Sequence, residues 1–170
     1  MKTPNILKKA FNKAKDFINI TKKEVKKVKR DFVKDFKRKY TSTKTVDKFE
    51  AGSLVTFTYN ALDKTKKFDK KPLILSLGFS KKFGRQRFLG LNLHHLPESQ
   101  RVLLASLVVE MLKKKKKLTY NDVLPLIKKF KGSPILRMYA MRRVSKKVIK
   151  MPQDIYLRAA SIDYATWHNP

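Results

Sequence analysis

The sequence predicts an α+β fold: a long basic amphipathic N-terminal helix, a small antiparallel β-meander and a helical C-terminal half. Three observations predict it. Apolar residues recur at heptad-like spacing through the first forty positions. Three short apolar runs between 54 and 93 are separated by polar or glycine-bearing turns. Pro97 then opens a segment that is apolar on nearly every face. The expected organisation is a helix over 1–40, a linker over 41–51, and an α+β domain over 52–170 with its sheet in 52–96 and its helices in 97–165.

The N-terminal segment places Leu7, Phe11, Ala14, Ile18, Val25, Val28, Phe32 and Phe36 close to a 4-3 repeat, with no Pro or Gly after Pro4. Such a stripe suits packing along one side of a helix. The other faces carry 15 Lys and Arg against Asp16, Glu24, Asp31 and Asp35. Leu7, Phe11, Ile18, Val25, Val28 and Phe32 are therefore the expected partner-packing stripe, with a partner or the chain's own domain as the surface they meet. Thr41-Ser42-Thr43-Lys44-Thr45 has no period and weak helix propensity, which reads as linker.

The sheet follows. In the run 54–59, Val55, Phe57 and Tyr59 share a face. A Lys-rich turn at 60–67 leads to Phe68-Asp69 and Lys71-Pro72, then to Leu73-Ile74-Leu75-Ser76-Leu77-Gly78-Phe79. A basic turn containing Lys81, Lys82, Arg85 and Arg87 precedes the central strand at 88–93, with Gly84 and Gly90 as hinges. A helix over 97–112 is expected to cover the leucine face, because a helix apolar all round is usually buried. Thr119 or Asn121 suits the start of the next helix, with Asp122 in its first turn. Ser133-Pro134 reads as a restart leading to a helix over about 135–144, and Met151-Pro152 as the start of the last one.

Charge is the most unusual property. Lys and Arg number 42 against 13 Asp and Glu, a net +29, and 33 of the basic residues are Lys. Self-repulsion at that density favours contact with a polyanion. Lys meets phosphate as a point charge and reads bases less well than the Arg fork. DNA or RNA bound through its backbone, with little sequence preference, is the expected partner, with an acidic membrane or an acidic protein surface behind them. The candidate contacts are Lys81, Lys82, Arg85 and Arg87 in the turn, Lys113, Lys114, Lys115, Lys116 and Lys117 after the apolar helix, and Arg137, Arg142 and Arg143. Aromatic residues interleave with base, and Phe83 within its cationic turn best fits a stacking platform.

There is no Cys, so thiolate metal sites and a Cys nucleophile are excluded. No apolar run reaches the ~18 residues of a membrane span, and the N-terminus lacks an apolar signal core. The chain reads as soluble or assembled, inside a cell or virion. Adjacent His94 and His95 on a strand point to opposite faces and do not readily share a metal; a hydrogen-bonded buried His is expected there. The acids are sparse, with Asp63 and Asp69 flanking a turn, whereas metal-dependent phosphodiester cleavage needs clustered carboxylates. No phosphate-binding Gly loop or nucleophile elbow is present. No enzyme activity, cofactor or metal is expected.

One long string remains. Gly52-Ser53-Leu54-Val55-Thr56-Phe57-Thr58-Tyr59-Asn60, Asp63-Lys64-Thr65, Phe68-Asp69, Lys71-Pro72-Leu73-Ile74-Leu75 and Arg87-Phe88-Leu89-Gly90-Leu91-Asn92-Leu93-His94-His95-Leu96-Pro97 resemble the small DNA end protector proteins of tailed bacteriophages. The span 121–139 resembles their later half, so the resemblance covers about 52–165 and leaves out the N-terminal helix. His95 stands where a Tyr is usual, and Arg87 where a Gly is usual. The resemblance supplies no catalytic residue. It implies a structural virion protein, assembled in the host cytoplasm, that associates with packaged DNA ends or the head-tail exit path. The expected function is therefore non-enzymatic binding of DNA backbone in a phage particle. The alternatives are a neck, tail or baseplate protein whose charge meets acidic neighbouring subunits, and a ribosomal or nucleoid protein.

Overall fold

The computed structural model describes residues 3–21, 26–40, 42–43, 46–61, 69–129 and 136–168. The fold is α+β. Helices α1 (Thr3–Thr21) and α2 (Lys26–Tyr40) precede β1 (Ser42–Thr43), β2 (Leu54–Tyr59), β3 (Leu73–Ser80) and β4 (Gly84–Asn92). Then come α3 (Glu98–Lys114), α4 (Tyr120–Lys129), β5 (Leu136–Ala140), β6 (Val144–Lys150), α5 (Tyr156–Ser161) and α6 (Tyr164–His168). The strands form one antiparallel sheet in the order β1-β6-β2-β3-β4-β5. No helix among the described residues is long and apolar enough to cross a membrane.

The predicted meander is β2, β3 and β4, but the sheet is twice as wide. Residues 136–150, expected as helix and loop, form β5 and β6. Leu, Arg, Met and Ala in 136–140 are good helix formers, and pairing with β4 overrides that preference. The predicted linker also enters the sheet, since Ser42 and Thr43 pair with Val148 and Lys147.

The sheet is strongly curled. Strands β5 and β6 lie four positions apart, ~19 Å in a flat sheet. Only residues 141–143 join them, and an extended chain from Ala140 to Val144 reaches at most ~14 Å. Curling brings Tyr139 of β5 over β2, with its ring 5.6 Å from Phe57 and 5.1 Å from Tyr59. The concave face thus holds an aromatic core of Phe49, Phe57, Phe88 and Tyr139 with Val55, Ile74, Val144 and Val148. Gly90 sits where a Cβ would run into Ile74 Cγ2.

The convex face packs on helices. Leu54, Leu73, Leu75, Leu77, Leu91 and Leu93 share a core with Val102, Leu104 and Val108 of α3 and with Leu157 and Ala160 of α5. As the sequence predicts, α3 is the central cover. Leu118 folds back against Gly52, whose φ of +83° and missing Cβ admit it; a Cβ there would lie 2.8 Å from Leu118 Cδ1. Tyr156 crosses the same corner, its hydroxyl accepting from Leu54 N and donating to Gly52 O, both at 3.1 Å.

The N-terminal segment belongs to this core. It forms two helices, α1 and α2, where one helix over 1–40 was expected. Ala10 and Ala14 are buried against α3, and Val33 and Phe36 of α2 pack near Trp167 of α6. The expected partner-packing stripe divides accordingly. Leu7, Ile18 and Phe32 pack on the chain's own core. Phe11, at 59% exposure, and Val28 point outward. Val25 lies outside the described residues. The buried line of α1 runs through Ile6, Ala10 and Ala14; Ala14 belongs to the predicted stripe, whereas Ala10 is buried where the stripe places Phe11.

Candidate nucleic-acid interface

Strands β3 and β4 project as a hairpin through the turn 81–83. Lys81, Lys82, Arg85 and Arg87 are all exposed on it. Phe83 lies among these cations, with Arg87 Cζ 4.3 Å and Lys82 Nζ 5.6 Å from its ring centroid, within cation–π range. Arg87 is opposite Ala140 in the sheet, so the 141–143 turn with Arg142 and Arg143 flanks the hairpin. Arg143 Nη1 donates to Asn60 O at 3.1 Å. Arg137 is separated from this group. It is opposite Gly90 and shares the face of Tyr139, whereas Arg87 Nη1 reaches Met138 Sδ at 3.7 Å on the other face.

The five lysines that end α3 and follow it form a partly neutralised cluster. Lys113 meets Glu110 at 2.9 Å, Lys115 meets Asp122 at 2.9 Å and Lys117 meets Glu50 at 3.0 Å. Lys114 and Lys116 form no ion pair with the described residues. Ala51, next to Glu50, abuts Gly78, which sets the cluster beside the hairpin end of β3. Asp122 also accepts from Thr119 N at 2.6 Å and Thr119 Oγ1 at 2.7 Å. This capping box starts α4, and its hydrogen bonds with Thr119 and Lys115 hold the Asp122 carboxyl at about 2. Exposed pairs of this kind are weak, about 0–1 kcal/mol, so phosphate can replace their carboxylates.

Below the sheet's other end lies a cluster that sequence spacing concealed. Asp69, before β3, accepts four hydrogen bonds. Its Oδ1 takes Lys71 N at 3.1 Å and lies 2.8 Å from His168 Nε2. Its Oδ2 takes Asn92 Nδ2 at 3.1 Å and lies 2.6 Å from His94 Nδ1. The Asp69 and His94 side chains are 4% and 1% exposed. Burial alone pushes the Asp69 carboxyl up, but the hydrogen bond and charge of His94, then Asn92 and His168, hold it below its ordinary value. An ionised Asp69 accepts only, so His94 carries its proton on Nδ1. Its buried Nε2 then meets no donor among the described residues. Burial, outweighing the pull of Asp69, lowers the His168 pKa. Tyr164 stacks on His168 at 4.2 Å.

Arg101 fixes the far wall of this cluster. Its guanidinium donates to Leu96 O, Ala160 O and Ile162 O at 2.9, 2.8 and 3.2 Å, which sets the turn between α5 and α6. His94 is the buried, hydrogen-bonded histidine the sequence predicts. Asp69, His94 and His168 offer three ligand atoms within 4.8 Å of one another, but both Asp69 oxygens are already committed twice to hydrogen bonds.

A scan against family models matches residues 5–169 to the Phage T4 terminal DNA protecting protein family. The chain belongs to this family. The match takes in the N-terminal helices that the string resemblance had left out. No curated protein and no solved structure matches the chain. For a terminal DNA protecting family member, the fold yields two cationic features at one end, the hairpin and the lysine run, and it splits off Arg137. The Asp69 cluster escaped prediction because its members lie 25 and 99 residues apart. The available signal was that Phe68-Asp69 and Asn92-Leu93-His94 both sit in the strings that carried the resemblance.

Proposed function

We propose that this chain is a non-enzymatic structural protein of a phage particle that binds the DNA backbone at duplex ends. The observation that carries the reading is the exposed cationic hairpin with Phe83 at its turn and Arg142 and Arg143 at its flank. Neither 81–87 nor 136–143 contains a carboxylate, so these two segments carry no negative charge to repel phosphate. Lys81, Lys82, Arg85 and Arg87 are assigned to phosphate contact, and Phe83 to stacking on an exposed terminal base pair, which presents a π-face that internal pairs hide. The lysine run adds charge beside them. The Asp69 cluster supports a non-catalytic reading because the Asp69 carboxylate is buried and both its oxygens are committed to hydrogen bonds.

The test is binding by the full-length protein to blunt linear and closed circular duplex across a salt series. Counterion release predicts a steep loss of affinity with salt, and end binding predicts preference for the linear form. Equal affinity for both forms leaves a backbone binder without end preference. Absence of binding at low salt rejects the DNA reading. That result would favour a second reading supported by the exposed Phe11, Ile20 and Val28 on α1 and α2: a structural component held to other virion proteins, at the neck, tail or elsewhere.

A further inference from the structure

Away from the hairpin, a cleft of about 170 Å³ opens between α2, the β2–β6 pair and the segment before β3. Lys37, Lys71 and Lys147 line it, with Thr56, Thr58, Phe57 and Ile149. Three lysines from three distant parts of the chain thus border one small space. Two of them are held from behind. Lys37 Nζ donates to Trp167 O at 2.7 Å and Lys71 Nζ to His168 O at 3.4 Å. These carbonyls end α6, whose last turn Asp69 fixes through His168, and Asp69 also accepts from Lys71 N. At Lys71 the carbonyl occupies one of the three ammonium N–H groups and does not neutralise the charge. Lys71 and Lys147 form no ion pair with the described residues.

Like charges gathered in a cleft cost stability unless an anion joins them. The cost is visible in Lys37, whose pKa falls to about 8 through burial and then through the charge of Lys71. Thr56 and Thr58 are neutral polar residues of the lining, and Ile149 reduces water's screening of the charges. Neither apolar packing nor helix capping calls for a third lysine here.

We propose that this cleft receives the terminal phosphomonoester of a duplex DNA end. The proposal rests on the end-binding reading above and names the group by which an end is recognised. An internal phosphodiester carries one charge and has chain on both sides. A terminal monoester carries nearly two at neutral pH and has three free oxygens on one projecting group. Three lysines in a cleft fit the second far better than the first. Strand β3 has eight residues between this cleft and the hairpin, ~26 Å at ~3.3 Å per residue. Duplex DNA covers that in about eight base pairs at 3.4 Å each, so one end can occupy the cleft while the backbone further along meets the hairpin.

The test uses the full-length protein and two blunt duplexes of one sequence, one with 5′-phosphate and one with 5′-hydroxyl ends, at fixed salt. The phosphorylated duplex is expected to bind about tenfold more tightly, the scale of added charge-assisted hydrogen bonds. Inorganic phosphate should compete away that advantage without displacing the 5′-hydroxyl duplex. The exposed-side substitutions Lys71→Gln and Lys147→Gln, together and singly, should erase the difference while affinity for the 5′-hydroxyl duplex stays within about twofold; an unchanged melting curve confirms folding. Equal affinity of the native protein for the two duplexes overturns the cleft assignment and leaves backbone binding intact. Binding to neither duplex overturns both. A tenfold advantage that survives both substitutions also overturns it, since the phosphate is then read elsewhere.

Discussion

His168 Nε2 lies 2.8 Å from Asp69 Oδ1, so the start of β3 is tied to the last described helix across 99 residues. The same carboxylate holds His94, Asn92 and the Lys71 backbone. Replacing Asp69 by Ala leaves four donors, three of them in part-buried bonds, without their acceptor, and should cost about 2–4 kcal/mol, read as a lower melting temperature. Asp69→Asn should cost less. The pH dependence has a definite sign. Because the folded pKa lies below the ordinary 3.8, the contribution is full above that value and is lost as pH falls through the folded one. The gap between native and Asp69→Asn melting temperatures should therefore narrow below pH 4. A gap that stays constant on acidification would contradict an ionised Asp69.

Gly90 tests the curled sheet. A Cβ at this position collides with Ile74 Cγ2, inside the aromatic core. Gly90→Ala should cost about 1–3 kcal/mol as overpacking, and Gly90→Ala with Ile74→Leu, which deletes the Cγ2 branch, should recover part of it. Chemical denaturation of the single and double variants gives both numbers. Additive losses would place Ile74 elsewhere.

These two sites show what the sequence could reveal. The period-two runs in β2, β3 and β4, and the apolar α3, are local patterns, and each was readable. Strands β5 and β6 were hidden because 136–140 is built of helix formers, and because Val144-Ser145-Lys146-Lys147-Val148 repeats its apolar residue at helical spacing. Only the partners β4 and β2 make them strands. The hairpin lysines and arginines were readable because they are contiguous. Asp69, His168 and the lysines at 37, 71 and 147 were not, because their meeting depends on the curl of the sheet and the return of α6. The expected stripe of the N-terminal segment holds at Leu7, Ala14, Ile18, Phe32 and Phe36 but fails at Phe11 and Val28, because helical periodicity alone does not tell a small buried Ala from a large exposed Phe.

Lys37 provides a second pH signature. Its folded pKa of about 8 lies below the unfolded 10.5. Below pH 8 both states are protonated and the native state bears the full cost of burying the charge. Between those values the native state sheds the proton while the unfolded chain keeps it, so this penalty is relieved as pH rises. Lys37→Met removes the charge and also the bond to Trp167 O. The native melting temperature minus that of Lys37→Met should therefore rise between pH 7.5 and 10, whatever its sign at the start. A flat difference would show that the ammonium is not desolvated.

The hairpin prediction separates assigned phosphate contacts from charge that merely accompanies them. Each Lys or Arg that neutralises a phosphate adds about 0.9 to the slope of log affinity against log salt. Replacing Lys81, Lys82, Arg85 and Arg87 by Gln in turn should lower that slope by about one per residue and weaken binding equally across sequences. Arg137→Gln, on the opposite face of β5 from Arg87, should leave the slope unchanged. In the lysine run, Lys114→Gln and Lys116→Gln should lower it more than Lys113→Gln or Lys115→Gln, whose charges are already answered by Glu110 and Asp122. The slopes come from fluorescence titrations of each variant with linear duplex at several salt concentrations. If Arg137→Gln reduced the slope as much as Arg87→Gln, the bound surface would have to wrap the edge strand, and the hairpin would no longer be the centre of the interface.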